Sequence, residues 1–143
     1  MNIELAKKSD LLDLIHIDQA VIGNDHRSAL IDKSIHDRCC LVCKIEGKSA
    51  GFLLSNNQFF EHWFISLVIV HPDCRKRGIA RELFTAFEEM ADGNKIFSST
   101  NKSHSIMHHL FLSLGYEKSG FIDNLDKGDP EIIYVKKRKE KDL

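Results

Sequence analysis

Arg75-Lys76-Arg77-Gly78 sets three consecutive cations ahead of a glycine, in a chain whose formal net charge is only −1. Upstream, Trp63-Phe64-Ile65-Ser66-Leu67-Val68-Ile69-Val70 is a nearly unbroken aromatic and β-branched run bounded by Pro72, which reads as a buried strand. Downstream, Ile79, Ala80, Leu83, Phe84, Phe87, Met90 and Ala91 recur at helical spacing until Asp92-Gly93 stops them. The basic run is therefore the loop of a strand–loop–helix unit. A helix start offers unpaired N–H groups and a positive dipole end, so each cation there is disfavoured by about 0.3–1 kcal/mol unless an anion answers it. Gly78 lets backbone approach a phosphate closely and the small Ala80 keeps the first turn open, an arrangement suited to a pyrophosphate across the helix start. Other phosphate motifs fail, since no Gly-Lys-Ser/Thr follows this strand as a P-loop requires and no Gly-x-Gly-x-x-Gly is present.

The elements around this unit follow from period and turn chemistry. Asn2 to Ala6 alternates as a first strand, and Ser9 or Asp10 caps a helix carrying Leu11, Leu12, Leu14, Ile15 and Ile17. Gly23-Asn24 breaks it, and a shorter helix over 27–36 follows on Leu30, Ile31 and Ile35. A strand from Cys39 to Glu46 turns at Gly47-Lys48 into a strand from Ser49 to Ser55, Asn56-Asn57 turns again, and the central strand begins near Glu61 or His62. That is an antiparallel meander. Lys95 to Ser99 is the next strand, parallel to the central one because a single helix joins them by a right-handed crossover. Ile106, Met107, Leu110, Phe111 and Leu114 make a helical stripe ending at Gly115, and strands over 116–122 and 132–137 close the chain.

The chain of 143 residues fits one domain over 1–138, with a charged tail over 139–143, and buries enough surface to need no staples. With 20 basic and 21 acidic residues there is no global field to draw nucleic acid or an acidic membrane. The N-terminus lacks the apolar segment of a targeting signal, so a soluble, cytoplasmic protein is expected, and monomer and homodimer are both open. Cys39, Cys40 and Cys43 fall on one strand, where residues three apart face opposite ways, so reduced core thiols and no metal are expected. Cys74 in the loop is the thiol expected to react. Lys136-Lys137-Arg138-Lys139 reads as a solvated basic run, and the loop 123–130, with three aspartates, as a surface turn.

Val70-His71-Pro72-Asp73-Cys74-Arg75-Lys76-Arg77-Gly78-Ile79-Ala80 resembles the acyl-CoA-binding signature of the GNAT acetyltransferases, Arg/Gln-x-x-Gly-x-Gly/Ala after a strand ending Val-x-Pro. Arg75, Gly78 and Ala80 fill its three fixed places. Asn101 to Tyr116 is similar to the family's segment that closes over pantetheine and ends in Gly-Phe. The resemblance implies an α/β (α+β) fold, a mixed, mostly antiparallel twisted sheet of six to seven strands with about four helices on both faces and the central parallel pair splayed apart. It implies acetyl-CoA as acyl donor, its pantetheine along the backbone of Val68, Ile69 and Val70, and its pyrophosphate at Arg75, Lys76, Arg77, Gly78, Ile79 and Ala80. Asn101 and Phe111 would border the thiol arm. The acceptor would be an amine of a small molecule or a protein; an acyl-CoA sensor and an interaction module remain as non-catalytic alternatives.

Amine acetylation needs a base more than an acid. An alkylammonium of pKa about 10.4 is neutral about once in 2,500 at pH 7, a cost of roughly 4.6 kcal/mol, whereas a thiol near pKa 8.5 leaves with little help. Where the family often carries a strand carboxylate this chain has Ser66, and where it often carries a tyrosine at the edge of the open channel this chain has Phe111. The base must then act through water from Glu61, His62 or His71. His108 and His109 read as surface histidines.

Overall fold

Apolar runs become strands where both faces can be buried and helices where one face can. The computed structural model describes residues 1–139, so residues 140–143 of the expected tail lie outside the described residues. Among the described residues the chain forms β1 (Asn2–Leu5), α1 (Leu11–Ile22), α2 (Ser28–His36), β2 (Cys40–Ile45), β3 (Lys48–Phe59), β4 (His62–Val70), α3 (Ile79–Met90), β5 (Lys95–Asn101), α4 (Ser105–Ser113), β6 (Glu117–Ile122) and β7 (Glu131–Lys137). Short 3-10 turns cover Lys8–Asp10 and Pro72–Cys74. The strands make one sheet in the order β1-β2-β3-β4-β5-β7-β6, and β4 with β5 is its parallel pair. This is the mixed α/β sheet that the resemblance implies. Contacts divide the chain into two units, Met1–Ser55 with Leu67–Met90, and Asn56–Ser66 with Ala91 onward.

In the first unit, α1 and α2 bury Leu14, Ile17, Ile31 and Ile35 against Cys40 and Val42 of β2, Phe52 and Leu54 of β3, and Ile69 of β4. The alternate residues Leu41 and Cys43 are also buried, and α3 packs on β2 and β1 with Ile79, Leu83, Phe84 and Phe87 buried. Strand β2 is thus covered on both faces, which explains its unbroken apolar run. α1 ends on Gly23 in the left-handed region, as its position predicts. The buried Asp18 takes both arms of Arg27, at 3.0 and 2.5 Å, and so pins the α1–α2 connection.

The turn into β3 is centred on Glu46 and Gly47, one residue earlier than expected, both with positive φ as a two-residue hairpin requires. The expected turn at Asn56-Asn57 is not there. The Asn56 side chain does accept the Gln58 N–H at 3.0 Å, the local bond that makes asparagine a turn residue, but β3 continues to Phe59. The chain reverses instead at Phe60 and Glu61, with φ of 50° and 68°. Nothing in their residue types signals a turn, because neither tolerates the left-handed region well.

In the second unit, β4 and β5 register at Trp63–Ile96, Phe64–Phe97 and Ile65–Ser98, and β5 pairs along its whole length with β7. The buried Ser98 hydroxyl donates to the Ile65 carbonyl at 2.8 Å, a lateral tie between the parallel strands. The basic run near the C-terminus is solvated at Lys137 and Lys139, but residues 136–138 are tied to the fold. The Arg138 guanidinium binds the carbonyls of Ala91, Asp92 and Gly93, Lys137 pairs with Glu117 at 3.0 Å, and the Lys136 ammonium lies 5.8 Å from the centre of the Tyr116 ring. All four cysteines are free thiols, and burial pushes Cys40 up to about 12.

The turn before α1 depends on Asp10, whose carboxylate accepts the Lys7 N–H at 2.8 Å and meets the Lys44 ammonium at 3.0 Å. Burial raises its pKa, but the Lys7 N–H and Lys44 outweigh that and leave it below the ordinary 3.8. With the folded value depressed, this stabilisation is complete above 3.8 and is lost as pH falls through the lower folded value. Asp10→Asn is expected to reduce stability by about 1–3 kcal/mol at pH 7 and to flatten the acid limb of a urea-midpoint-against-pH curve; an unchanged curve would remove Asp10 from this role.

Candidate active site

The loop between β4 and α3 is built from its flanks. The His71 N–H donates to Ala50 O at 2.8 Å, and the His71 ring accepts the Asp73 N–H on Nδ1 at 3.0 Å, capping the Pro72–Cys74 turn. Gly51 on β3 admits the start of α3: a Cβ there would lie 2.9 Å from Ile69 O and 3.1 Å from Ile79 Cγ2. Lys76 and Gly78 then take the left-handed conformation, with φ of 64° and 78°, and the Glu82 N–H closes the first helical turn on Gly78 O at 3.0 Å. A Cβ built on Gly78 meets no atom within 4 Å, so open space lies over the helix start. Arg75, Lys76 and Arg77 are exposed, and none has an ion-pair partner among the described residues. Unpaired N–H groups, three unanswered cations and an open glycine suit a diphosphate, so the residues present fit the nucleotide end of coenzyme A.

The second unit brings other expected residues to definite places. Glu61 is exposed at the hairpin turn and the His62 ring lies tilted against Phe97, ring centres 5.7 Å apart. Together with Asn57, Asp92 and Lys95 they line a polar recess of about 260 Å³. Ser66 is exposed four to five residues further along the strand, about 13–16 Å away at strand rise. Glu61 and His62 therefore do not converge on Ser66. Nor does His71 offer a base: its Nδ1 lone pair is taken by the Asp73 N–H, which leaves the proton on Nε2.

Asn101, expected against the thiol arm, instead donates its amide to Asp126 at 2.9 Å and to the Asp129 carbonyl at 3.2 Å. Asp129 also accepts from the Ser103 N–H and hydroxyl at 3.1 and 2.6 Å, so the aspartates of loop 123–130 anchor that loop to the end of β5. His104 caps α4 by accepting the Met107 N–H. His108 is no surface histidine. Its Nε2 faces the Asn101 and Lys102 carbonyls at 3.0 Å each, which fixes the proton there, and its Nδ1 accepts from the Tyr134 hydroxyl at 2.6 Å. Tyr134 is fully buried, and burial raises its pKa. Phe111, expected at the edge of an open channel, is also fully buried, stacked on Tyr134 at 4.5 Å and tilted against Tyr116 at 5.5 Å. Its ring packs the core.

One carboxylate escaped the sequence reading. Glu131 opens β7 opposite Asn101 and accepts from the Ser99 hydroxyl at 2.6 Å. Strand alternation puts Phe97, Ser99 and Glu131 on one face, and the Phe64–Phe97 pair carries that face to Ser66 on β4. Phe59 joins the same cluster, 4.8 Å from Phe64 and 5.1 Å from Phe97.

Residues 9–116 match the acetyltransferase (GNAT) family. The chain belongs to the GNAT family. Among solved structures, a GNAT acetyltransferase from Bacillus cereus ATCC 10987 is 41% identical, with 97% of this chain and 98% of that one covered and a TM-score of 0.93. An uncharacterized N-acetyltransferase of Methanocaldococcus jannaschii is 24% identical over 110 residues, 73% of this chain and 70% of the relative. An aminoglycoside 6′-N-acetyltransferase crystallised with coenzyme A shares the fold at 14% identity and a TM-score of 0.83, with 100% of each chain covered. The protein is thus a GNAT acetyltransferase, and acetyl-CoA-dependent acetyl transfer is the general reaction of its kind.

Two substitutions probe this geometry. Gly78→Glu places bulk and negative charge in the space over the helix start and is expected to weaken CoA binding at least about tenfold, while Gly78→Ala loses only the roughly 1–2 kcal/mol of a strained left-handed residue. Equal CoA affinity in calorimetric titrations of Gly78→Glu and wild type would dissociate the loop from the nucleotide. Phe111→Tyr forces a hydroxyl into a filled core and is expected to destabilise by about 1–3 kcal/mol in urea melts; a neutral result would mean the ring borders open space after all.

Proposed function

We propose that this enzyme transfers the acetyl group of acetyl-CoA directly to a primary amine, of a small molecule or of a protein. The observation that carries the reading is the open glycine over the start of α3 beside three unanswered cations. In this reading the N–H groups of Gly78, Ile79 and Ala80 with Arg75, Lys76 and Arg77 hold the diphosphate, and backbone of Val68, Ile69 and Val70 holds the pantetheine amides. Acetyl-CoA supplies an activated thioester; the protein's own task is to orient the amine and remove its proton.

Glu131 is the residue we assign to that proton. It is part-buried, oriented by the Ser99 hydroxyl, and on the sheet face of Ser66, where Phe59, Phe64 and Phe97 offer rings to the apolar body of an acceptor. A carboxylate so held can act directly or through one water, and general-base help of this kind is worth about 10²–10⁴ in rate. The four free thiols accord with a reducing cytoplasm.

A free-thiol assay with acetyl-CoA and a panel of amines, including phenethylamine, spermidine and short peptides, tests the activity. Amine-dependent thiol release is expected; none across the panel would count against amine acetylation. Glu131→Gln is expected to lower kcat by about 10²–10⁴ with CoA affinity unchanged, and Ser99→Ala to lower it less. A Glu131→Gln enzyme with wild-type kcat and pH profile would exclude Glu131 as the base.

A further inference from the structure

The first unit carries another concave site, formed where β1 runs into its 3-10 turn beside the end of α2, and it shares no lining residue with the candidate active site. The recess measures about 580 Å³, within the roughly 300–1,000 Å³ typical of small-molecule sites. Leu5, Ala6 and Ile35 give it an apolar floor, and Lys7, Lys8, His36 and Arg38 stand around it with a single carboxylate, Asp32. Asp32 is occupied by Lys8 at 2.8 Å. The other carboxylates nearby in sequence are engaged too: Asp37 with Lys33 at 2.5 Å, Glu4 with Lys44 at 3.1 Å, and Asp10 with Lys44 at 3.0 Å. Lys7 and Arg38 are exposed and have no ion-pair partner among the described residues. In a chain of net charge −1 this surplus is local.

The backbone supplies an independent sign. Arg38 follows the end of α2 with a φ of 59°, where its N–H donates to Ile35 O at 3.1 Å. A helix that ends this way favours glycine, and an arginine there stores strain that tends to persist at functional positions. We propose that this recess binds a small anionic amphiphile, a carboxylate or phosphate head on a short apolar body. Lys7 and Arg38 take the head, and Leu5, Ala6 and Ile35 take the chain. A bare anion would leave the floor uncovered, and an apolar cation would face the wrong charge.

Titrating the full chain with octanoate and with octyl phosphate, followed by backbone amide NMR, distinguishes the two heads. We expect saturable shifts at Ala6, Lys7, Ile35 and Arg38 with a Kd on the order of 1 mM or tighter for at least one of them. Acetate and octylammonium should bind at least about tenfold more weakly, since each lacks one of the two recognised parts. The Lys7→Gln, Arg38→Gly double variant should lose about tenfold in affinity while keeping its melting temperature, because glycine relieves the strain at position 38, and its CoA affinity should not change. No saturable shift at those amides with either anion, equal binding of octylammonium, or full affinity in the double variant would overturn the proposal.

Discussion

The approach of α3 to the sheet at Gly51 is the constraint on which the loop before α3 rests. Ile69 O and Ile79 Cγ2 stand where a side chain at position 51 would begin, so the first residue of the helix can sit directly on the strands only because that side chain is missing. Ile79 is buried as a result, the turn at Gly78 is fixed, and the cations just before it are carried out to solvent. A helix start displaced outward by a methyl group would keep its dipole and lose its position relative to the backbone of β4. The small residue on a neighbouring strand therefore matters as much as the glycine inside the motif.

In the second unit the order comes from polar side chains that sequence patterns assign to ligands. Asn101 and Ser103 hold loop 123–130 through Asp126 and Asp129, and His108 joins α4 to β5 carbonyls and to Tyr134 on β7. The His108 bonds are half-buried, and a partner lost there costs about 1–3 kcal/mol, whereas the Asp126 and Asp129 bonds are exposed and worth less. A residue already committed in this way is not available to a substrate without leaving its partner exposed to that penalty. His71 is committed too, its ring nitrogen capping the turn before α3.

What could be read in the sequence was whatever depends on near neighbours along the chain. The strand–loop–helix of residues 63–91, the Gly23 stop of α1 and the crossover that makes β4 and β5 parallel all follow from period and turn chemistry. The turn at Phe60-Glu61 was invisible, because the hairpin's register, and not the residue types, put those two in the left-handed region. Phe111 looked like a channel residue because its motif position is shared by family members, yet the tyrosines at 116 and 134 fill the space around it. Glu131 could not be found from spacing at all. It lies 32 residues from Ser99, and only the β5–β7 register brings the two together.

The two departures from the family pattern are unequal in consequence, and the pKa scale says why. Protonating a thiolate of pKa near 8.5 at pH 7 is a matter of about 1.5 pK units, or roughly 2 kcal/mol, and the thiolate is a tolerable leaving group without it. Neutralising an alkylammonium at the same pH costs roughly 4.6 kcal/mol and cannot be avoided, since the protonated amine has no lone pair to attack with. A chain can therefore turn its tyrosine position over to core packing, as Phe111 has been, with modest loss. It cannot give up the strand carboxylate without another base. Glu131, held by the Ser99 hydroxyl, is the carboxylate that the β5–β7 register delivers to the face of Ser66, and in the proposed reaction it serves as that base.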